Sequence, residues 1–444
     1  MDLNNNNKLS IEYNTRLSGF FGEEKRYIAS IDGKIKTVDI GCPQCKSSDY
    51  VDNGYHLVRA ALIFGCGLTI KIGQCRCKKC DTFWSVDRGI IDEIIQKHRD
   101  FIKGLLLGCV RAKLSFRAST SLVEETVGVS YSSQYLYELY VQALDAIKQE
   151  RFTSASGVYN YDEQFLKVSG VETCRVVIKD CVTGKVIVDV QTSDSKKDTI
   201  KKVLETALEG LPVEFFIVDM KSMYPGIIHE IFPHAKIQWC IFHLYKIIWK
   251  ELQDEFGKKI PLVQLYNAYT LFNIFFDHTE ELKKLEELLK KFEAQKSYNG
   301  IEQELRKEFA KFVKELKKKR RRENKNRARR MLEESEKVFS QIVQQRNLYS
   351  KKIQKRIKYV EENWEKFTLF QRDTRVPPTN NGIEHYFAAT LAKTDKKDFR
   401  SKNSVTRELN AAQAEWNGKK LFSSAKLTEL ITCMGMLFLA FPPT

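Results

Sequence analysis

The chain has 444 residues, 43% of them hydrophobic and 11% aromatic, which is enough apolar material for two to four folded domains and excludes a low-complexity polypeptide. Seventy-three Lys and Arg against 57 Asp and Glu leave a formal charge of +16, so the expected partner is a polyanion, nucleic acid rather than a membrane surface. The opening "MDLNNNNKLS" has neither a basic nor an apolar leader region, and the longest apolar stretch, "LITCMGMLFLAF" near the C-terminus, is too short to span a bilayer.

That late apolar stretch reads as a buried helix, and no membrane association is expected. The eleven cysteines are then expected in a reducing compartment and not in a disulfide framework. The corresponding location is the cytoplasm, with the nucleoid, in a prokaryote, or the nucleus in a eukaryote.

Residues 1–39 read as an arm whose asparagine run is disordered. Residues 40–95 hold two paired cysteines, Cys42-Pro-Gln-Cys45 and Cys77-Lys-Lys-Cys80. Each C-x2-C turn brings two thiolates to one ion, and two such turns complete a tetrahedral site suited to structural Zn2+. Alternating apolar residues in "HLVRAALIF" and "LTIKIGQCRC" predict the strands of a zinc ribbon. Cys75 competes as a ligand because "CRCKKC" offers three thiols; Cys77 and Cys80 are favoured because their spacing repeats that of the first pair.

Residues 96–150 carry helical periodicity broken at "VGVSYSS", where Gly128 supplies a turn and Ser130 an N-cap. Two helices joined in this way predict a helix-turn-helix. Ser132, Ser133, Gln134 and Tyr135 lie at the leading end of its second helix, with Gln134 the candidate DNA-reading residue.

From residue 151 to 248 the period changes. "GVYNYDEQFLKV", "CRVVIKDCVTGKVIVDVQTS" and "EFFIVDM" read as strands, with a hairpin turn at Val182-Thr183-Gly184-Lys185 and a helix in "DTIKKVLETALEG". A helix through "YPGIIHEIF" and a strand in "AKIQWC" complete a mixed sheet flanked by helices. Asp162 is expected at the edge of the first strand and Asp219 at the carboxyl end of "FFIVD", where open α/β sheets place ligands. Two carboxylates converging there can hold hard divalent cations through oxygen. Glu163 adjoins Asp162, but neighbouring strand residues point to opposite faces, so only one of them faces that position.

Cys240-Ile241-Phe242-His243 has a metal-binding spacing, yet only two ligands are visible. Orientation of the carboxylates or of DNA, or a buried His satisfied by backbone, are equal readings. Trp239 and Trp364 read as core residues, with stacking on an extruded base as the functional alternative.

Residues 249–375 read as a helical, highly charged insertion. It contains the run "KELKKKRRRENKNRARR", in which Lys317, Lys318, Lys319, Arg320, Arg321 and Arg322 are candidates for phosphate contacts that add affinity without reading sequence. In residues 376–444, Pro377 and Pro378 are expected to stop the preceding helix, and Asn380, Asn381 and Gly382 to take up a turn of unusual backbone angles. Glu384 then emerges on the first turn of a new helix.

With "YDEQFLKVSG", "FFIVDMKSMYPGIIHEIFPHAKIQWCIFHLYK" and "TNNGIEHYF", the chain resembles a DDE transposase of the Mutator-like kind, related to several insertion-sequence enzymes. The resemblance implies a multidomain α+β protein: zinc ribbon, helix-turn-helix, and a ribonuclease-H-like α/β catalytic core interrupted by the helical insertion. Asp162, Asp219 and Glu384 match the family's catalytic, Mg2+- or Mn2+-holding residues, and Cys240 and His243 its accessory Cys-x2-His element. The implied activity is metal-dependent cleavage and joining of double-stranded DNA at the element's ends by a homodimer. The rival readings are a non-catalytic DNA-binding regulator derived from such an enzyme and a structure-selective nuclease on the same fold.

Overall fold

The structure, a computed structural model, describes residues 11–12, 27–29, 34–37, 41–61, 67–85, 89–112, 114–128, 130–257, 260–294, 330–391 and 399–421. The chain divides into two compact units, one of residues 1–148 with 418–444 and one of residues 149–417. The fold is mixed α and β, with two sheets among the described residues. No helix among the described residues is long and apolar enough to cross a membrane.

In the first unit, β1 (Ile11–Glu12), β2 (Tyr27–Ala29), β3 (Lys34–Thr37), β4 (Tyr50–Ala61), β5 (Gly67–Cys77) and β6 (Phe83–Ser85) form one sheet. β4 and β5 are its long antiparallel pair, bulged between Asp52 and Tyr55. Three helices follow: α1 (Gly89–Arg111), α2 (Phe116–Val127) and α3 (Ser133–Asp145). The sequence reading of two helices missed the break before α2, where Ser115 caps through the amide of Ala118. Gly128 ends α2 in the left-handed region at φ 71°, which a side chain would disfavour. Ser132, not Ser130, caps α3, accepting from the Tyr135 amide; Ser130 instead reaches Glu124. A cap must directly precede the first helical residue, and that position belongs to Ser132.

In the second unit, β7 (Val158–Val168), β8 (Val171–Asp180) and β9 (Val186–Thr192) run antiparallel. Ser169 and Gly170, both at positive φ, form the tight turn from β7 to β8, a Ser-Gly signal not read as a hairpin beforehand. Then come α4 (Lys197–Ala207), β10 (Phe215–Val218), α5 (Met223–Ile231) and β11 (Lys236–Trp239). β10 pairs parallel to both β7 and β11, giving the order β11-β10-β7-β8-β9 with β7 at the centre. Helices α6 (Ile241–Phe256), α7 (Leu262–Phe272), α8 (Thr279–Ala294), α9 (Leu332–Gln344), α10 (Lys351–Glu362) and α11 (Trp364–Arg372) follow, and then α12 (Asn381–Thr390) and α13 (Lys402–Trp416).

The two faces of this sheet are buried by different helices. Val176 and Ile178 belong to the large core with α4, α5 and the helical segment, whereas Val177 packs with Ile383, Tyr386 and Phe387 of α12. This split follows from the two-residue period of β8. Trp239 stacks on Tyr359 at 5.2 Å and Trp364 on Phe339 at 4.6 Å; Trp239 is buried in the core, and Trp364, partly buried, packs against it.

Candidate active site

Asp162 lies within β7, the central strand, and not at a strand edge as the sequence suggested. It is cross-strand partner to Val177, so it points to the face that α12 covers; Glu163 pairs with Val176 and points to the other. There Glu163 is buried, bonded to the Tyr161 hydroxyl and ion-paired with Lys221. The β7–β10 register matches Asn160 with Ile217, and two residues further along it sets Asp219 beside Asp162 on the same face.

The segment before Glu384 is tied to the start of α6. The Ile241 amide donates to the Pro378 carbonyl at 3.0 Å, and the Asn380 amide to Cys240 Sγ at 3.3 Å. Helix α11 has already ended at Arg372, so the prolines do not stop it. Asn380 has φ −80° and Gly382 no positive φ, which corrects the expected turn of unusual angles. Asn380 is needed for its side chain, which is fully buried. Its amide nitrogen donates to the Tyr161 carbonyl at 2.8 Å and lies 3.5 Å from Asp219 Oδ1, and its oxygen accepts from Asn160 at 2.8 Å. Gly382 lies close to β7 and β8: a Cβ there would stand 3.4 Å from both Asn160 Oδ1 and Lys179 Nζ, an ordinary contact distance. The Asn-Asn-Gly composition suggested a turn, and nothing in it marked Asn380 as a cross-link.

Glu384, on the first turn of α12, is about one-third exposed and pairs with Lys246 of α6 at 2.9 Å. Helix α12 is seated by a buried network. The Arg175 guanidinium makes a two-pronged pair with Asp189 at 2.8 and 2.6 Å and donates to Thr390, and the Tyr386 hydroxyl donates to Asp189. Arg175 also lies 5.1 Å from the Tyr386 and Phe387 ring centres.

His243 sits one helical turn after Cys240, its Nδ1 2.8 Å from Asp219 Oδ1, an ion pair when the imidazole is charged. Burial opposes charge on His243, yet Asp219 and Cys240 beside it prevail and hold the imidazole up at about 10. Burial, and then the charge of Asp219, push the Asp162 carboxyl up to about 7. Glu384 adds to this more weakly, even though the Glu163 amide bonds the carboxylate. Asp219, Cys240 and His243 form a compact group of possible metal donors, which Asp162 and Glu384 flank without joining.

In the first unit, Cys42, Cys45, Cys77 and Cys80 converge, their sulfurs within 4.8 Å of one another. The closest pairs are Cys42–Cys80 at 3.4 Å and Cys45–Cys77 at 3.5 Å, near the roughly 3.8 Å edge of a tetrahedral zinc–thiolate site. Both turns share one construction: the residue after the second cysteine, Lys46 or Asp81, has positive φ and donates its amide to the carbonyl of the first. The cluster is compatible with zinc, and Cys75 is not part of it. Gln134 is exposed on the first turn of α3, bonded to Glu138. Lys317, Lys318, Lys319, Arg320, Arg321 and Arg322 lie outside the described residues, as does "LITCMGMLFLAF".

Residues 276–387 match the family model described as "Transposase IS66 family", a span that includes Glu384. An "Insertion element ISM1 uncharacterized 48.3 kDa protein" of Methanobrevibacter smithii is 23% identical over 388 residues, covering 86% of this chain and 83% of that protein. A solved structure, the simian T-cell lymphotropic virus intasome in complex with PP2A regulatory subunit B56 gamma, aligns with 38% of this chain and 67% of that chain. The identity is 10% and the TM-score 0.17, too low to bear on the fold. The first two similarities support a transposase role.

Proposed function

We propose that the chain is a DNA transposase of the DDE kind, with Asp162, Asp219 and Glu384 as its metal-holding carboxylates. The observation that carries the reading is that adjacent parallel strands set Asp162 and Asp219 side by side on the one face that the Glu384 helix covers. Two facing carboxylates, one of them with a pKa raised by burial and by its neighbour, repel each other and offer oxygen donors to a shared cation. That donor set fits magnesium or manganese. Two such ions would supply Lewis-acid activation of the attacking and leaving oxygens in an in-line phosphoryl transfer.

The chain's own side chains do the positioning. Asn380 and His243 orient Asp219, the Arg175–Asp189 pair seats α12, and Lys246 balances Glu384. The mixed sheet flanked by helices, with its acids at and beside strand ends, supports a ribonuclease-H-like core. The remaining parts follow the same reading. Zinc on the four cysteines is structural, α2 and α3 read double-stranded DNA with Gln134 near the groove, and the basic run at 317–322 holds phosphates. Two copies of the chain join the two ends, in the cytoplasm or the nucleus according to the host. Similarity to a transposase family and to an insertion-element protein supports this over a structure-selective nuclease.

The test is cleavage and joining of a labelled duplex carrying the element's end, with magnesium or manganese. Wild type should release a 3′-hydroxyl and join it to a second duplex, and Asp219→Ala and Glu384→Ala should lose both steps while binding persists. Binding without cleavage under either metal would replace the proposal with a DNA-binding regulator. Cleavage unchanged in Glu384→Ala would remove that residue from the triad.

A further inference from the structure

The Cys-x2-His pair shows only two donors in sequence, and the fold supplies a third. Cys240 caps α6, and its amide is bonded to the carbonyl of Val218 at 2.8 Å, which pins the thiol next to the strand end that carries Asp219. Single donor atoms of Asp219, Cys240 and His243 all lie within 4.8 Å of one another. Cys240 is almost fully buried, and His243 Nδ1 is buried and faces Asp219 Oδ1 at 2.8 Å.

We propose that Asp219, Cys240 and His243 form a second site for a soft divalent cation of the zinc class, distinct from the four-cysteine cluster and from the hard-metal position between the two aspartates. One sulfur, one nitrogen and one carboxylate oxygen are a zinc donor set, with the fourth position left to water. Magnesium, which takes oxygen ligands in octahedral geometry, is poorly served by it. Donors around a tetrahedral zinc ion lie roughly 3.3 to 3.8 Å apart, so the His243–Asp219 contact of 2.8 Å has to open by about half an ångström. Cys240 binds as thiolate and His243 as neutral imidazole, and the displaced protons leave to solvent. Asp219 keeps its second oxygen for the position shared with Asp162. Through Cys240 Sγ, which accepts the Asn380 amide, the ion also braces the segment leading to Glu384.

This inference stands apart from the strand-transfer reading and needs no DNA. The full-length protein is stripped with a chelator and titrated with Co2+ as a spectroscopic probe. Counted by thiolate-to-cobalt charge-transfer absorption, which cobalt at the oxygen-ligated carboxylates lacks, wild type should take up two equivalents, one absorbing as a sulfur-rich tetrathiolate and one as a site with a single thiolate. His243→Ala and Cys240→Ser should each lose the second equivalent and keep the first, and Asp162→Asn should keep both. Because Cys240 also holds the Asn380 amide, His243→Ala decides the matter if Cys240→Ser does not fold. Saturation at one equivalent, or a second equivalent that survives in His243→Ala, overturns the site. Cleavage with magnesium by a protein that binds one thiolate-ligated cobalt ion would sink this inference and leave the catalytic proposal intact; two thiolate-ligated equivalents without cleavage would do the reverse.

Discussion

Asn380 donates to the Tyr161 carbonyl, approaches Asp219 and accepts from Asn160, so its truncation leaves two buried polar groups of β7 without this partner. Asn380→Ala should therefore cost about 1–3 kcal/mol in chemical denaturation. Asp180 is a second side chain whose cost is predictable. Burial disfavours its charge, but the amides of Ser156, Val182 and Thr183 and the Ser156 hydroxyl prevail and hold it below the ordinary carboxylate value. A lowered folded value means that its stabilisation is complete above the unfolded value of about 4 and is lost as pH falls through the folded one. Melting temperature should drop on acidification in wild type, and Asp180→Asn should flatten part of that acid limb.

Helix α12 shows why an element can be legible while its seat is not. The break, the turn-forming residues and Glu384 could be read directly, and α12 starts at Asn381 as that pattern requires. Its anchor could not, because Arg175 and Asp189 look like the polar alternates of solvent-facing strands until α12 covers them. Removing one member of such a pair strands a buried charge, so Asp189→Ala should cost about 3–5 kcal/mol, measured by urea unfolding. Lys246→Ala, which breaks a half-exposed pair with Glu384, should change stability by less than about 1 kcal/mol. A large loss in the second variant and none in the first would mean that α12 is not held as described.

The two compact units differ in what holds each together. The unit of residues 149–417 has a continuous apolar core between sheet and helices, and its packing involves none of the four clustered cysteines. In the other unit, both C-x2-C turns close on that cluster. Replacing Cys42 and Cys45 by Ser should accordingly lower one thermal transition and leave a second unchanged by calorimetry; transitions unmoved in that variant would show that the cysteines carry no structural metal.

The positive charge, the paired cysteine spacing, and the order of strands and helices through the second unit were all written in local composition and period, because those features depend on neighbours a few residues apart. The join between the start of α6 and the segment before Glu384 was not, nor was the meeting of Asn380, Asp219, Cys240 and His243. Those contacts link stretches far apart in the chain. They exist because β10 runs between β7 and β11 and α12 packs on the face to which Asp162 points, an outcome of burying two sides of one sheet that no single stretch encodes.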